Sequence, residues 1–199
     1  MTVYKVCIFV ITYLICSINP AIIFCKLKTG EDIRKLGSGN AGTANAMRVL
    51  GRSLGIIVIV CDVLKVFMSF AIVHFIGTIF KQDTTVTLKS VFIVSAVIGH
   101  CYPIYYKFKG GKGVIVGMTI AFILDPKIAL VCTIVGLIVL LVTRMVAMGT
   151  FLGTVTYVLI TIFSVKEYIL PIIIACAIIM FKHRANIKRI ITRQEEKLW

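Results

Sequence analysis

The residues of this chain able to hold an anion or move a proton gather in three stretches: SGNAGTANAMR at 38–48, GHCYPIYYKFKGGKG at 99–113 and HRANIKR at 183–189. In the first, Gly37, Gly39 and Gly42 accompany Ser38 and Asn40 ahead of a helix-compatible segment at 43–50. Glycines permit a tight turn and close backbone approach, and a helix N-terminus offers amide hydrogens to an anion. Arg48 adds a cation one or two turns further on. The second stretch leaves a helix through His100 and Pro103 and enters Lys107-Phe108-Lys109-Gly110-Gly111-Lys112-Gly113. Glycines around Lys112 make a loop whose amides and ammonium can surround a phosphate. Gly113 stands where a nucleotide-binding loop would carry the Ser or Thr that binds magnesium, so no nucleotide is implied. In the third stretch, His183 and Asn186 are three residues apart and share a helical face, with Arg184, Lys188 and Arg189 beside them. Each stretch taken singly also reads as a basic loop or tail at a membrane edge; their combination is what points to a phosphate site.

Other familiar chemistry is missing. The chain has no GxSxG and no HExxH, and His74, His100 and His183 are followed five residues on by Ile79, Tyr105 and Lys188 rather than an aspartate. The spacing of the histidines argues against a metal site. The seven cysteines form no CxxC and read as small apolar residues. Asp62 and Lys65 lie one turn apart inside an apolar run, where charge is costly unless paired. They read as a structural ion pair, with each other or with Arg144, and His74 reads as a packing residue.

The elements that carry these groups are membrane helices. Of 199 residues, 59% are hydrophobic and 15% charged, and the mean hydropathy is +1.03; soluble domains carry about 25% charge. Apolar runs fall at 3–25, 54–80, 90–106, 114–124, 128–143, 145–165 and 168–181. The fold expected is an all-α integral membrane protein, a single polytopic domain over residues 1–199 of about seven transmembrane helices. The fourth and seventh runs are shorter than the ~20 residues needed to span and must borrow flanking residues. Asp125-Pro126-Lys127 and Arg144 are the weakest separators. No small-residue cleavage site follows the first run, which is read as a retained helix.

Fifteen of the 22 Lys and Arg residues lie at 26–52, 107–112 and beyond 181, alternating with connections that hold few. The cytoplasmic side carries such an excess. The N-terminus is therefore expected outside, and the C-terminus and all three polar stretches at the cytoplasmic face. The net charge of +14 serves topology and anionic headgroups rather than nucleic acid.

In this order and at these separations, the stretches resemble the bacterial acyl-phosphate:glycerol-3-phosphate acyltransferase family, PlsY. The resemblance rests on Ser38-Gly39-Asn40, Gly42, Asn45 and Arg48, on Gly99-His100, Pro103, Phe108, Lys109 and Gly110-Gly111-Lys112-Gly113, and on His183-Arg184, Asn186, Arg189 and Glu195. Asp62 and Lys65 match a polar pair of its second helix. Thr43-Ala44 stands where Ala-Thr is usual, Val114-Ile115-Val116 is bulkier than usual, and Arg193 replaces a glycine.

The resemblance implies a seven-helix membrane fold that transfers a fatty acyl group from acyl phosphate to the 1-hydroxyl of glycerol 3-phosphate, giving lysophosphatidate and phosphate. It implies no cofactor, no metal and no obligate protein partner; membrane lipids surround the protein, in the bacterial cytoplasmic membrane. Carried over by position, the catalytic residues are Ser38, Arg48, Lys112, His183 and Asn186. The substrate-binding residues are Gly39, Asn40, Gly42, Asn45, His100, Gly110, Gly111, Gly113 and Arg184. Phosphate is a good leaving group, so the hydroxyl proton can pass to the acyl phosphate itself; Ser38 as a covalent nucleophile is the rival. The competing class is a phosphate-ester transporter, against which stands the gathering of the polar stretches on one face.

Overall fold

The structure, a computed structural model, describes residues 2–79, 86–164 and 166–197. The end of the second apolar run at Phe80, Lys81 in the connection after it, and the end of the sixth run at Val165 lie outside the described residues. Every regular element among those described is helical. The chain forms two compact units, Met1–Val116 and Gly117–Trp199.

The first unit holds α1 (Thr2–Cys16), α2 (Pro20–Thr29), α3 (Thr43–Leu50), α4 (Arg52–Ile79) and α5 (Val86–Cys101). α1 packs against α4 and α5, while α3 packs against α2 and α4. The first apolar run is one candidate span, Val3–Thr29, but it is broken. Pro20 opens α2 at a position where its missing N–H costs nothing, and the Asn19 side chain accepts from Ile22 N at 3.0 Å to cap the new helix. The break leaves the Ile18 carbonyl to accept from Lys65 Nζ and the Asn19 side chain to donate to Ala41 O. A small core of Ala21, Ile22, Cys25, Ile33, Ala41, Ala46, Leu50 and Val58 binds α2, α3 and the start of α4 to the segment between them.

α6 (Val114–Leu124) has the limits of the fourth apolar run. The second unit continues with α7 (Pro126–Thr143), α8 (Val146–Ser164), α9 (Ile169–Lys182) and α10 (Arg184–Ile191). Both weak separators are true boundaries. Asp125 caps α7, its Oδ1 accepting from Lys127 N and Ile128 N. Arg144 ends α7 with φ +61° and its N–H on Leu140 O at 2.7 Å. α7 and α8 pack closely where Gly136 meets Gly149, a small-residue contact of the kind that joins helices in lipid.

Among the described residues five helical segments are long and apolar enough to cross a membrane alone, and a sixth arises if Lys166–Lys182 and Arg184–Ile191, bent by 58°, count together. α6 has 11 residues and α9 has 14. At 1.5 Å per residue both fall short of a ~30 Å hydrocarbon core. Many large apolar side chains are exposed along the long helices, including Leu64, Phe67, Leu141 and Leu159, as a lipid solvent requires. His74, expected to pack, is exposed near the end of α4. The ion pair forms between Asp62 and Lys65, with Lys65 Nζ 2.7 Å from Asp62 Oδ1 and both side chains buried.

Candidate active site

Ser38 and its glycines form a loop built around one buried side chain. Asn45, 1% exposed, accepts from Ser38 N at 2.8 Å through Oδ1 and donates through Nδ2 to the carbonyls of Ile33, Leu36 and Asn40 at 3.0–3.3 Å. An amide is the side chain that can do both, and a burial this deep demands it. Gly39 sits at φ +71°, in the left-handed region that a residue with a Cβ enters at a cost. Asn19, at the α1–α2 break, donates to Ala41 O at 3.0 Å and fixes the far side of the loop. Ser38, Gly39 and Arg48 are exposed, Asn40 is half-buried, and Gly42 is the buried residue before α3.

The glycine stretch is folded against this loop. Phe108 N donates to Pro103 O at 3.0 Å and Gly110 N to Cys101 O at 3.2 Å, which doubles the chain back under α5. Lys107 and Phe108 hold φ of +56° and +59°, a strain that persists only when surrounding contacts fix it. Arg34 supplies such contacts: Nη1 donates to Tyr106 O at 2.7 Å and to Lys109 O at 3.2 Å, while Nε and Nη2 grip Asp32. Hydrogen bonds from Arg34 hold the Asp32 carboxyl below the usual carboxylate range, and the same bonds raise Arg34. Gly111 is buried where no side chain fits: a Cβ there would overlap His100 Nε2 and lie 2.9 Å from Ala41 O. His100 is buried, Gly110 and Lys112 are half-buried, and Gly113 turns at φ +84° into α6. The first two polar stretches, about sixty residues apart in the chain, thus share one surface of the first unit.

A groove of about 700 Å³ opens in the same unit between the α1–α2 break and α4, lined by Ile18, Pro20, Ile23, Phe24, Leu64 and Phe67 among others. Lys65 is its one charged wall residue among the described residues.

The third stretch belongs to the second unit. His183, 3% exposed, places Nδ1 2.8 Å from Ile179 O. A carbonyl only accepts, so Nδ1 carries the proton, and when the ring is neutral its lone pair is at Nε2. Asn186 is buried and donates to Glu195 Oε1 at 2.6 Å; Arg189 Nε donates to Glu195 Oε2 at 2.8 Å. The chain returns to make these contacts by turning at Arg193, φ +56°, so the turn forms despite the arginine. Arg184, read from the sequence as substrate-binding, is exposed, lies over the Phe181 ring at 4.4 Å and donates to Phe181 O. Sequence reasoning gave no role to Arg34 and Asn19, and none to Glu195 beyond its place in the motif.

A family model described as Glycerol-3-phosphate acyltransferase matches residues 6–193. The chain belongs to this family. A glycerol-3-phosphate acyltransferase of a Thermoanaerobacter species is 37% identical over 198 residues, covering 98% of this chain and 96% of that one. The crystal structure of PlsY (YgiH), an integral membrane glycerol 3-phosphate acyltransferase, in its glycerol 3-phosphate form superposes with a TM-score of 0.86 at 30% identity, covering 98% of this chain and 96% of that one. Its lysophosphatidic acid form gives 0.83 at 29% identity, covering 98% and 95%. Membership accounts for the all-helical membrane fold.

Proposed function

We propose that this protein transfers a fatty acyl group from acyl phosphate to the 1-hydroxyl of glycerol 3-phosphate, and that residues 1–199 act as one polytopic domain. The observation that carries this reading is the packing of the Gly110–Gly111 turn against the Ser38–Gly42 loop, in a chain matching the acyltransferase family over nearly its full length. Both substrates carry phosphate. Arg48, Lys112 and Ser38 hold phosphate oxygens, with loop amides of Asn40, Gly111 and Gly113 beside them, while Gly39 and Gly110 line the substrate through the turns that their own amides close on Leu36 O and Cys101 O. Gly42, Asn45 and His100 shape those loops, and His183 and Asn186 orient glycerol 3-phosphate, with Arg184 next to them. The acyl chain lies between helices, and the groove beside Lys65 is an apolar volume of the right character.

The reaction needs no protein nucleophile. The 1-hydroxyl oxygen bonds to the acyl carbonyl carbon, the bond from that carbon to the phosphate oxygen breaks, and the departing phosphate takes the hydroxyl proton. Lysophosphatidate and inorganic phosphate result. This substrate-assisted route makes a pH–rate profile informative: an acidic limb near neutral pH, rate falling as pH falls, that vanishes in His183→Ala would instead assign the proton to the His183 Nε2 lone pair.

The chain crosses the bacterial cytoplasmic membrane seven times, N-terminus outside and C-terminus inside, with α6 and α9 completing the fourth and seventh crossings with help from flanking polar segments. The positive-inside pattern supports this orientation. Sealed liposomes test the activity against transport. Labelled glycerol 3-phosphate entering the lipid phase as lysophosphatidate only when acyl phosphate is supplied supports the reading; donor-independent uptake without lipid product would assign a transporter.

A further inference from the structure

The ion pair on α4 has no part in the transfer just proposed, yet it reaches the glycine loop through a single histidine. Lys65 Nζ lies 2.8 Å from Ile18 O, 3.0 Å from His100 Nδ1 and 2.7 Å from Asp62 Oδ1. Asp62, Lys65 and His100 are 2%, 5% and 4% exposed. The other ring nitrogen of His100, Nε2, abuts Gly111. One buried chain of contacts therefore runs from the α1–α2 break and α4 through the imidazole to the loop.

An ammonium has three hydrogens and no lone pair. Facing Lys65, His100 Nδ1 must be the acceptor, and the neutral ring then carries its proton on Nε2. Protonating both nitrogens would set a second cation 3.0 Å from Lys65 with one carboxylate between them, and that carboxylate is nearer Lys65, at 2.7 Å, than His100, at 3.5 Å. We propose that Lys65 is a positioning residue that fixes His100 as the Nε2–H tautomer and so presents a proton donor, never an acceptor, to the Gly110–Gly111 turn. A donor at Nε2 engages carbonyls and leaves the loop amides for an anion, whereas a lone pair there would compete with the anion for an amide hydrogen. The functional half of this inference rests on the reading of the loop as a phosphate cradle; the tautomer does not.

Nitrogen-15 NMR of histidine-labelled protein in lipid nanodiscs, assigned with His74→Gln and His183→Gln, tests it. His183, which donates through Nδ1, is an internal reference of the opposite tautomer. The expected result for His100 is a protonated Nε2 and an unprotonated Nδ1 at neutral pH. An Nδ1–H ring or an imidazolium in the unsubstituted protein overturns the proposal without any variant. The double substitution Asp62→Leu with Lys65→Met removes the donor without stranding a charge and should shift the tautomer; Asp62→Leu with Lys65→Gln, which keeps a donor at position 65, should retain it. The first should raise KM for glycerol 3-phosphate about fivefold at nearly constant kcat, the effect of one hydrogen bond. An unchanged tautomer in the methionine variant, or a changed tautomer with unchanged KM, contradicts it. The expected tautomer in a protein without acyltransferase activity would leave the tautomer and its dependence on Lys65 standing and remove the proposed reaction together with the functional half.

Discussion

Arg34 and Tyr106 stand 72 residues apart in the chain, and Arg34 Nη1 donates to the Tyr106 carbonyl at 2.7 Å. A second bond from the same nitrogen to Lys109 O brackets the two strained residues Lys107 and Phe108. The planar fork that also grips Asp32 is a property of arginine that lysine lacks. Arg34→Lys should therefore keep the charge and lose the clamp, lowering kcat/KM for glycerol 3-phosphate by on the order of tenfold. Steady-state kinetics in nanodiscs checks this, and wild-type values would show that the turn needs no clamp.

Asp32 gives the clamp a pH dependence of known sign. Its carboxyl is lowered in the folded protein by the Arg34 hydrogen bonds, so its contribution is present above the unfolded pKa, ~3.9, and is lost as pH falls through the folded value. Both side chains are about a quarter exposed, 29% for Asp32 and 25% for Arg34, so screening keeps the effect to roughly 1 kcal/mol or less. Asp32→Asn should melt slightly below wild type at pH 7, with the gap closing in acid. A gap that widens in acid would reverse the assignment.

Asn45 holds four backbone groups of the Ser38 loop from a position with no access to water. Replacing it with alanine leaves those groups without their partner, at a cost of about 2–4 kcal/mol. Thermal unfolding should fall by several degrees and activity should fall with it. Asn45→Asp keeps the acceptor for Ser38 N but loses the donor, and should be as damaging as alanine.

How much of this was legible follows from where each signal lies. The apolar runs are local, so the limits of α6 and the end of α7 at Arg144 agree with the sequence reading. The break between α1 and α2 was hidden because Asn19-Pro20 sits inside an unbroken apolar run and hydropathy averages over it. The roles of Arg34 and Asn19 were hidden for a different reason: their partners are main-chain carbonyls far away in sequence, which no side-chain pattern announces. His74 misled because an apolar neighbourhood in sequence is not a buried one in a protein whose outer faces meet lipid. Lys107 and Phe108 take left-handed conformations although glycines stand only two or three residues further on.

The tail supplies a separate prediction. Glu195, its side chain 7% exposed, binds both Asn186 and Arg189. Glu195→Ala should release Asn186 and reduce kcat/KM by about tenfold or more, the worth of hydrogen bonds to a charged group. Arg193→Gly should leave activity intact, because glycine takes the φ of +56° that Arg193 already holds. Loss of activity in the glycine variant with none in Glu195→Ala would invert these roles.

Gly111→Ala tests the close approach at the loop. With His100 and Ala41 O against the place a methyl would occupy, the loop must shift, and KM for glycerol 3-phosphate should rise while the protein remains folded. An unchanged KM would take this loop out of the phosphate site.

The central claim is the reaction. Purified protein in lipid, given labelled glycerol 3-phosphate with acyl phosphate, acyl-CoA or acyl-carrier-protein in separate reactions, is predicted to form lysophosphatidate from acyl phosphate alone. Product from either thioester and none from acyl phosphate, by protein shown to be folded, would contradict it.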